Sequence, residues 1–351
     1  MADKGEQILE LQRRLSDVEP LPEEPDFFLS HETLTRYLKA RQWKMVESEK
    51  MIRASIEWRR IYKPLSVDCG WCHSKPGFHS MRQVGYDEMG RPVIYSCFAQ
   101  AAVHKAGVED SVAHVTYLIE NAKVTMPPGV HTWVFIIDCT GMTVPSCNPK
   151  LGYGVTQVMS NHYPERLGLV ICLNHNRVFQ GIWSTIRSFL HPNTVAKVQL
   201  VRSKKKIAEA FNKFFSEELT SWLLEEIKLN KQSPLPQSQR EFWKAPADPS
   251  AHDPRGCPSY VERHLLAKVN GGVVDHKPGP RHKPHPNIVD ALLGNVRDAD
   301  SDMEEERLKE LKSVGANCDE SSASDDDASS IKELSISEEF QIPKEAAKLG
   351  N

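Results

Sequence analysis

Between Ser30 and Tyr62 apolar residues recur at helical spacing: Leu34, Tyr37 and Leu38, then Val46, Met51, Ile52, Ile56 and Ile61. The stretch ARQWKMVES interrupts that period, which predicts two amphipathic helices joined by a short turn, the first opening near Ser30. From about residue 76 the pattern changes. RPVIYSCF (91–98), TWVFIID (132–138), LGLVICL (167–173) and AKVQLV (196–201) read as strands. Between them SVAHVTYLIENAKVTM (111–126) and GYGVTQVMSNHY (152–163) carry apolar residues at helical intervals. Strands apolar on both faces, alternating with helices, predict an α/β fold with a sheet covered by helices. KKKIAEAFNKFFSEELTSWLLEEIK (204–228) adds one or two further amphipathic helices.

The flanks read differently. Residues 1–25 are polar, with prolines at 20, 22 and 25, and predict a short helix followed by a flexible arm. Residues 26–75 form the helical N-terminal lobe, and 76–230 the sheet-containing domain. Ten prolines between 234 and 286 mark 231–297 as a Pro/His-rich linker. Residues 298–351, with SSASDDDASS, read as an acidic disordered tail.

Charge sharpens this division. The tail holds 16 acidic and 6 basic residues, net −10, which leaves 1–297 with 38 basic against 31 acidic, net +7. A basic body suits anionic surfaces, and an acidic tail can oppose that attraction. The first residues lack the apolar core of a secretory signal, and no run approaches the ~20 apolar residues of a membrane span. The expected location is therefore cytoplasmic, with peripheral contact on intracellular membranes, and all eight cysteines are expected reduced.

Three features carry chemistry. Val178, Phe179, Ile182, Trp183, Ile186, Phe189 and Leu190 make a wide apolar helical stripe, which fits a core-facing helix or a lid over an apolar cavity. Glu165 and Lys197 sit against the apolar runs 167–173 and 196–201. Burying either charge is costly without a partner, so they pair with each other, with a neighbour, or with a polar ligand. Cys69-x-x-Cys72-His73 resembles a haem-attachment or redox string but lies in a connecting segment. GYGVTQ lacks the third glycine of a dinucleotide turn, and no nucleophile, base and oxyanion donor assemble, so an enzyme is not expected. VRSKKK (201–206) suits phosphates, of lipid rather than nucleic acid, since no aromatic residues interleave with it.

LTRYLKARQWKMVESEKMIRASIEWRR resembles the helical N-terminal part of CRAL-TRIO proteins. GRPVIY, FIIDCTGM and YPERLGLVICLNHNRVFQGIWSTIRSFLHPNTVAKV resemble their lipid-binding part, in the family's order, over roughly residues 30–225. The branch that looks most similar is the phosphatidylinositol/phosphatidylcholine transfer proteins. The resemblance implies a helical N-terminal lobe and a mixed β-sheet that floors a hydrophobic lipid cavity, closed by an amphipathic gate helix at 178–190. It further implies a phosphatidylinositol head group bound by Arg59, Arg60, Glu165, Thr194 and Lys197. Trp133 and Phe135 stand where choline-binding members carry Ser or Thr, which implies a different second lipid or none.

The expectation is a non-enzymatic, monomeric carrier of phosphatidylinositol between membranes. It needs no cofactor or metal beyond the bound phospholipid, and no nucleic acid. The alternative is a lipid sensor that recruits a lipid kinase or trafficking factor through its tail. Ser301, Ser324 and Ser335 each precede an acidic residue by three positions and are candidate phosphorylation sites that would weaken binding to anionic membranes.

Overall fold

A computed structural model describes residues 3–67, 77–101, 107–146, 149–188 and 190–242. Three helices come first: α1 (Lys4–Arg14), α2 (His31–Ala40) and α3 (Met45–Tyr62). The Ser30 hydroxyl accepts from the Thr33 N–H and so satisfies one of the donors a helix start leaves unpaired. The turn between α2 and α3 falls within the predicted interruption. It is closed by the Trp43 N–H on the Leu38 carbonyl at 2.8 Å, with Gln42 and Trp43 both at positive φ.

The expected arm at 1–25 is instead packed. Ile8 and Leu11 of α1, with Leu15, Leu21 and Phe28, join Leu34, Tyr37, Leu38, Met51, Ile52 and Ile56 in one buried cluster. Ile8, Leu11 and Leu15 keep a helical apolar stripe through a run dominated by charge, and that stripe outweighs the prolines that follow. Arg53 adds ion pairs to Asp17 at 2.8 Å and to Glu49 at 3.0 Å.

The second lobe holds a five-stranded sheet: β1 (Arg82–Tyr86), β2 (Pro92–Cys97), β3 (Trp133–Asp138), β4 (Leu167–Leu173) and β5 (Val198–Val201). The spatial order is the chain order, with β1 antiparallel to β2 and the other neighbours parallel. The parallel crossovers are α4 (Val108–Thr125), α5 (Pro149–His162), and α6 (Arg177–Arg187) with α7 (Pro192–Ala196). α8 (Lys204–Phe214), α9 (Glu217–Asn230) and the short α10 (Gln237–Arg240) follow. β1 was not foreseen: RQVGY is short, mostly polar and bulged between Gln83 and Gly85, so it shows no alternation. β5 begins two residues later than predicted, because Pro192 starts a helical turn that runs to Ala196 and makes Lys197 its C-cap.

Side chains alternate across a sheet, and the two faces differ here. On one, Val93, Tyr95, Val134, Ile136, Leu169, Ile171, Leu173 and Val201 are sealed by Ile207, Phe211 and Phe214 of α8 and Leu219, Leu223 and Ile227 of α9. On the other, Ile94 and Trp133 are buried under Val115, Ile119 and Ala122 of α4. Farther along that face Phe135, Ile137, Val170, Val198 and Leu200 are only half-buried.

The chain does not become a linker at 231. Gln239 and Phe242 are buried, and Phe242 lies 4.5 Å beneath the Arg82 guanidinium. Gln239 donates to Asn230 at 2.9 Å, Asn230 donates to the Tyr95 hydroxyl at 2.9 Å, and that hydroxyl donates to Asp138 at 3.2 Å. The Arg82–Glu226 pair at 2.8 Å completes a buried network that fastens α9 and α10 to the sheet. The proposed linker beyond 242, the tail with Ser301, Ser324 and Ser335, and Cys69, Cys72, His73 and Phe189 lie outside the described residues.

Candidate functional site

The apolar part of the site lies between the half-buried sheet face and α6. Asn176 starts that helix: its side-chain oxygen accepts from the Phe179 N–H at 3.0 Å, and its amide donates to the Met142 carbonyl at 2.9 Å. Phe179 is buried, while Ile182 and Trp183 are half-buried against Ile137, Val170, Val198 and Leu200. Val178, Ile186 and Leu190 are also half-buried. Gly152 of α5 lets Ile186 approach closely, since a Cβ there would stand 2.7 Å from Ile186 Cδ1. A protein interior normally closes around groups of this size. A row of half-buried aliphatic and aromatic groups between a sheet and its covering helices leaves apolar surface for something else to cover.

The polar part lies at the amino ends of β4 and β5. Glu165 occupies the left-handed backbone region at φ 57°, which costs a non-glycine residue about 1 kcal/mol. Lys197 is buried, and its ammonium lies 3.9 Å from the Glu165 carboxylate. That distance allows Coulomb attraction but exceeds a hydrogen bond. The Lys197 N–H donates to the Thr194 carbonyl at 3.1 Å, and the Lys197 carbonyl accepts from the Val170 N–H at 2.9 Å. Glu165, Thr194 and Lys197 thus meet at one end of the half-buried face.

Arg59 and Arg60 do not join them. Arg60 sits on the surface and donates to the Glu19 carbonyl at 2.7 Å. Arg59 is buried, pairs with Glu24 and donates to Glu120 at 2.8 Å. It also lies over the Phe27 ring at 4.8 Å. Arg59, Glu24 and Phe27 line a polar cleft of about 420 Å³ between the helical lobe and the end of α5, shared with Arg36, Tyr37, Lys123 and Arg166. Burial alone would raise the Glu120 pKa, but Lys123 and Arg59 outweigh it and hold the carboxyl at about 2. Burial opposes the charge on Arg59, and Glu120 and Glu24 overcome that, so its pKa rises. Arg166 is drawn down to about 10 by burial and by Arg36. Glu32 reaches His131 at 3.0 Å and Arg166 at 3.5 Å.

The same seam carries an aromatic stack. The His162 ring lies 4.1 Å from Trp58, which stacks in turn on Tyr62. Burial, with Arg59 nearby, lowers the His162 pKa to about 4. Sequence reasoning missed Glu24, Glu120, Arg36 and Arg166. Glu120 offered a signal, as an acid beside Ile119 far from the first turn, where the helix's other acids, Glu109 and Asp110, lie.

Residues 81–221 match the CRAL/TRIO domain, and residues 7–54 match the CRAL/TRIO N-terminal domain. The chain belongs to the CRAL-TRIO family. Its helical lobe corresponds to the N-terminal match, and all five strands fall within the second match. Among curated relatives, the CRAL-TRIO domain-containing protein C3H8.02 of Schizosaccharomyces pombe is 29% identical over 51% of this chain and 42% of that protein. Phosphatidylinositol transfer protein PDR17 of Saccharomyces cerevisiae is 25% identical over 51% of this chain and 54% of that protein. Phosphatidylinositol/phosphatidylcholine transfer protein SFH11 of Arabidopsis thaliana is 24% identical over 50% and 52%. The chain thus spans about half the length of these CRAL-TRIO relatives. The crystal structure of Sfh5 aligns with 60% of this chain and 85% of that chain at a TM-score of 0.48 and 15% identity.

No helix among the described residues is long and apolar enough to cross a membrane. Cys97, Cys139 and Cys172 are buried free thiols.

Proposed function

We propose that this CRAL-TRIO protein is a non-enzymatic phospholipid carrier that holds phosphatidylinositol between its sheet and α6 and exchanges it at membranes. The observation that carries the reading is the row Phe135, Ile137, Val170, Val198 and Leu200, left half-buried while the opposite face is sealed. Acyl chains laid on that floor leave water with a gain of about 0.8 kcal/mol per CH2, enough in sum to draw a lipid from a bilayer. The amphipathic α6 is the gate. Phosphatidylinositol transfer appears in the names of two relatives, which supports the choice of lipid.

The head group binds at the polar end. Lys197 supplies a charge-assisted donor to the phosphodiester, and Glu165 accepts from inositol hydroxyls. At 3.9 Å the two charges attract each other without a direct hydrogen bond between them. Arg59 contributes to the same field from the lobe seam, but its direct partners are Glu24 and Glu120. Trp133 is fully buried under α4, and Phe135 fills part of the floor, which argues against choline recognition at those two positions.

Transfer of labelled phosphatidylinositol between donor and acceptor vesicles tests this. The wild type accelerates it, and the double variant Glu165→Ala/Lys197→Ala loses on the order of 100-fold, as expected for two groups worth about 1.4 kcal/mol each. Undiminished phosphatidylinositol transfer, in a variant that melts like wild type, would place the head group elsewhere.

A further inference from the structure

A cationic rim stands at the carboxyl ends of β4 and β5, away from the Glu165–Lys197 end. Arg202, Lys204, Lys205 and Lys206 follow β5 directly, and all four are exposed. Lys231 joins them by donating to the Asn174 side-chain oxygen at 2.8 Å, and the Asn174 N–H is bonded to the Val201 carbonyl at 3.1 Å. Among the described residues no carboxylate pairs with Arg202, Lys204 or Lys206, and Lys205 meets only Glu209, at 4.0 Å. The helical lobe is built the other way. There Arg13, Arg14, Arg36, Arg53 and Arg59 all reach carboxylates.

The rim is also placed against local electrostatics. A helix amino end carries partial positive charge, so acids stabilise it and cations do not. α2, α3, α4 and α9 obey this with Glu32, Glu47, Glu109 with Asp110, and Glu217 with Glu218 in their first turns. α5, α6 and α7 also open without an acid, but α8 sets three cations, Lys204, Lys205 and Lys206, in its first turn. Folding gains nothing from that choice, so an external anion is the natural counterpart.

What shares that end of the sheet selects the kind of anion. The bond from Asn176 to the Met142 carbonyl brings the 143–146 turn, which follows β3, to the start of α6. On that turn Val144 is 68% exposed. An exposed aliphatic group and exposed lysines at the same end of a sheet match a surface that is anionic outside and apolar beneath.

We propose that Arg202, Lys204, Lys205 and Lys206, with Val144 at the same end of the sheet, dock the protein on an anionic bilayer so that the amino end of α6 meets the membrane. The orientation rests on the carrier reading; the docking surface does not. Phosphatidylserine and phosphoinositides share the chemistry the rim recognises.

The test is sedimentation of the full chain with phosphatidylcholine vesicles prepared with and without phosphatidylserine or phosphatidylinositol 4-phosphate. Wild type is expected to pellet with either anionic vesicle, weakly with neutral ones, and to be released by salt. Each lysine near such a surface is worth about fivefold, so Lys204→Ala/Lys205→Ala/Lys206→Ala should weaken anionic binding on the order of 100-fold. The variant should melt at or above the wild-type temperature, because unfavourable charges leave a helix amino end. Lys39→Ala/Lys50→Ala, on the helical lobe, should bind like wild type. Loss confined to one anionic lipid identifies the source and supports the proposal. Unchanged anionic binding in the triple variant overturns it. So does a triple variant that loses only RNA or acidic-peptide binding. Phospholipid carried through purification is measured in parallel. If wild type carries none, the carrier reading fails while the sedimentation result still decides the rim.

Discussion

Val134, Ile136, Leu169 and Ile171 are sealed beneath α8 and α9, whereas their chain neighbours Phe135, Ile137 and Val170 stay half-buried beneath α5 and α6. The two sets have similar hydrophobicity and share the same strands. The difference lies in what covers them. α8 and α9 present Phe211, Phe214, Phe215, Leu219 and Leu223, side chains long enough to fill every gap. α6 presents Phe179, Ile182 and Trp183 over part of the opposite face and leaves the rest accessible. One face is therefore a core that stabilises the fold, and the other is the surface that the proposed lipid would cover.

The largest expected effects test the sealed face. Phe211→Ala removes a fully buried ring and should cost about 3–5 kcal/mol in chemical denaturation. Leu200→Ala, on the half-buried face, should cost about 1 kcal/mol, since less area returns to water. Equal costs would erase the distinction between the faces.

The closed end of the open face gives the next effect. Tyr163 packs edge-on against Trp133 and donates to Glu120 at 2.7 Å, and Glu120 also holds Arg59. Glu120→Ala leaves Arg59 buried with one carboxylate fewer and should cost about 3 kcal/mol. A loss below ~1 kcal/mol by the same measurement would mean that the pair only breaks even against its desolvation.

Adjacent residues on one strand sharpen the comparison further. Ile171→Trp overpacks the sealed face and should cost about 1–3 kcal/mol. Val170→Trp points into the proposed cavity. It should leave the melting temperature near wild type while displacing bound lipid.

The last effect is in pH. The folded state holds His162 at about 4, below its ordinary 6.5, so the unfolded chain takes up the proton first. Stability is then intact above pH 6.5 and falls as pH drops from 6.5 toward 4. Glu120, held at about 2 against an ordinary 4.5, adds a second loss as pH drops from 4.5 toward 2. Melting curves of His162→Gln should show a smaller first decline, since burial also lowers the His175 pKa, and keep the second.

Much of this fold is readable in the sequence, because β2, β3 and β4 are apolar runs bounded by turns and the helices between them keep their period. Glu165 and Lys197 stood out as two charges set against apolar strands, but their meeting was one of three arrangements that the sequence left open. Three things were not legible. β1 is polar because Arg82 faces the buried Glu226 rather than solvent. The packed segment after α1 and the docking of 231–242 depend on partners distant in sequence, Met51 and Ile52 in one case and Arg82 and Tyr95 in the other. The role of Arg59 was obscured because its choice of partners depends on Glu24 and Glu120, both contributed by other elements. Nor can composition separate the two faces, since an apolar floor and an apolar core are spelled with the same residues.

The most direct measurement is lipid mass spectrometry on organic extracts of the purified full chain, wild type beside Val170→Trp. The account predicts near-stoichiometric phospholipid, with phosphatidylinositol prominent, in wild type and none in a Val170→Trp variant that melts normally. Equal phospholipid in both proteins, or none in wild type after incubation with mixed vesicles, would contradict a lipid cavity on this face of the sheet.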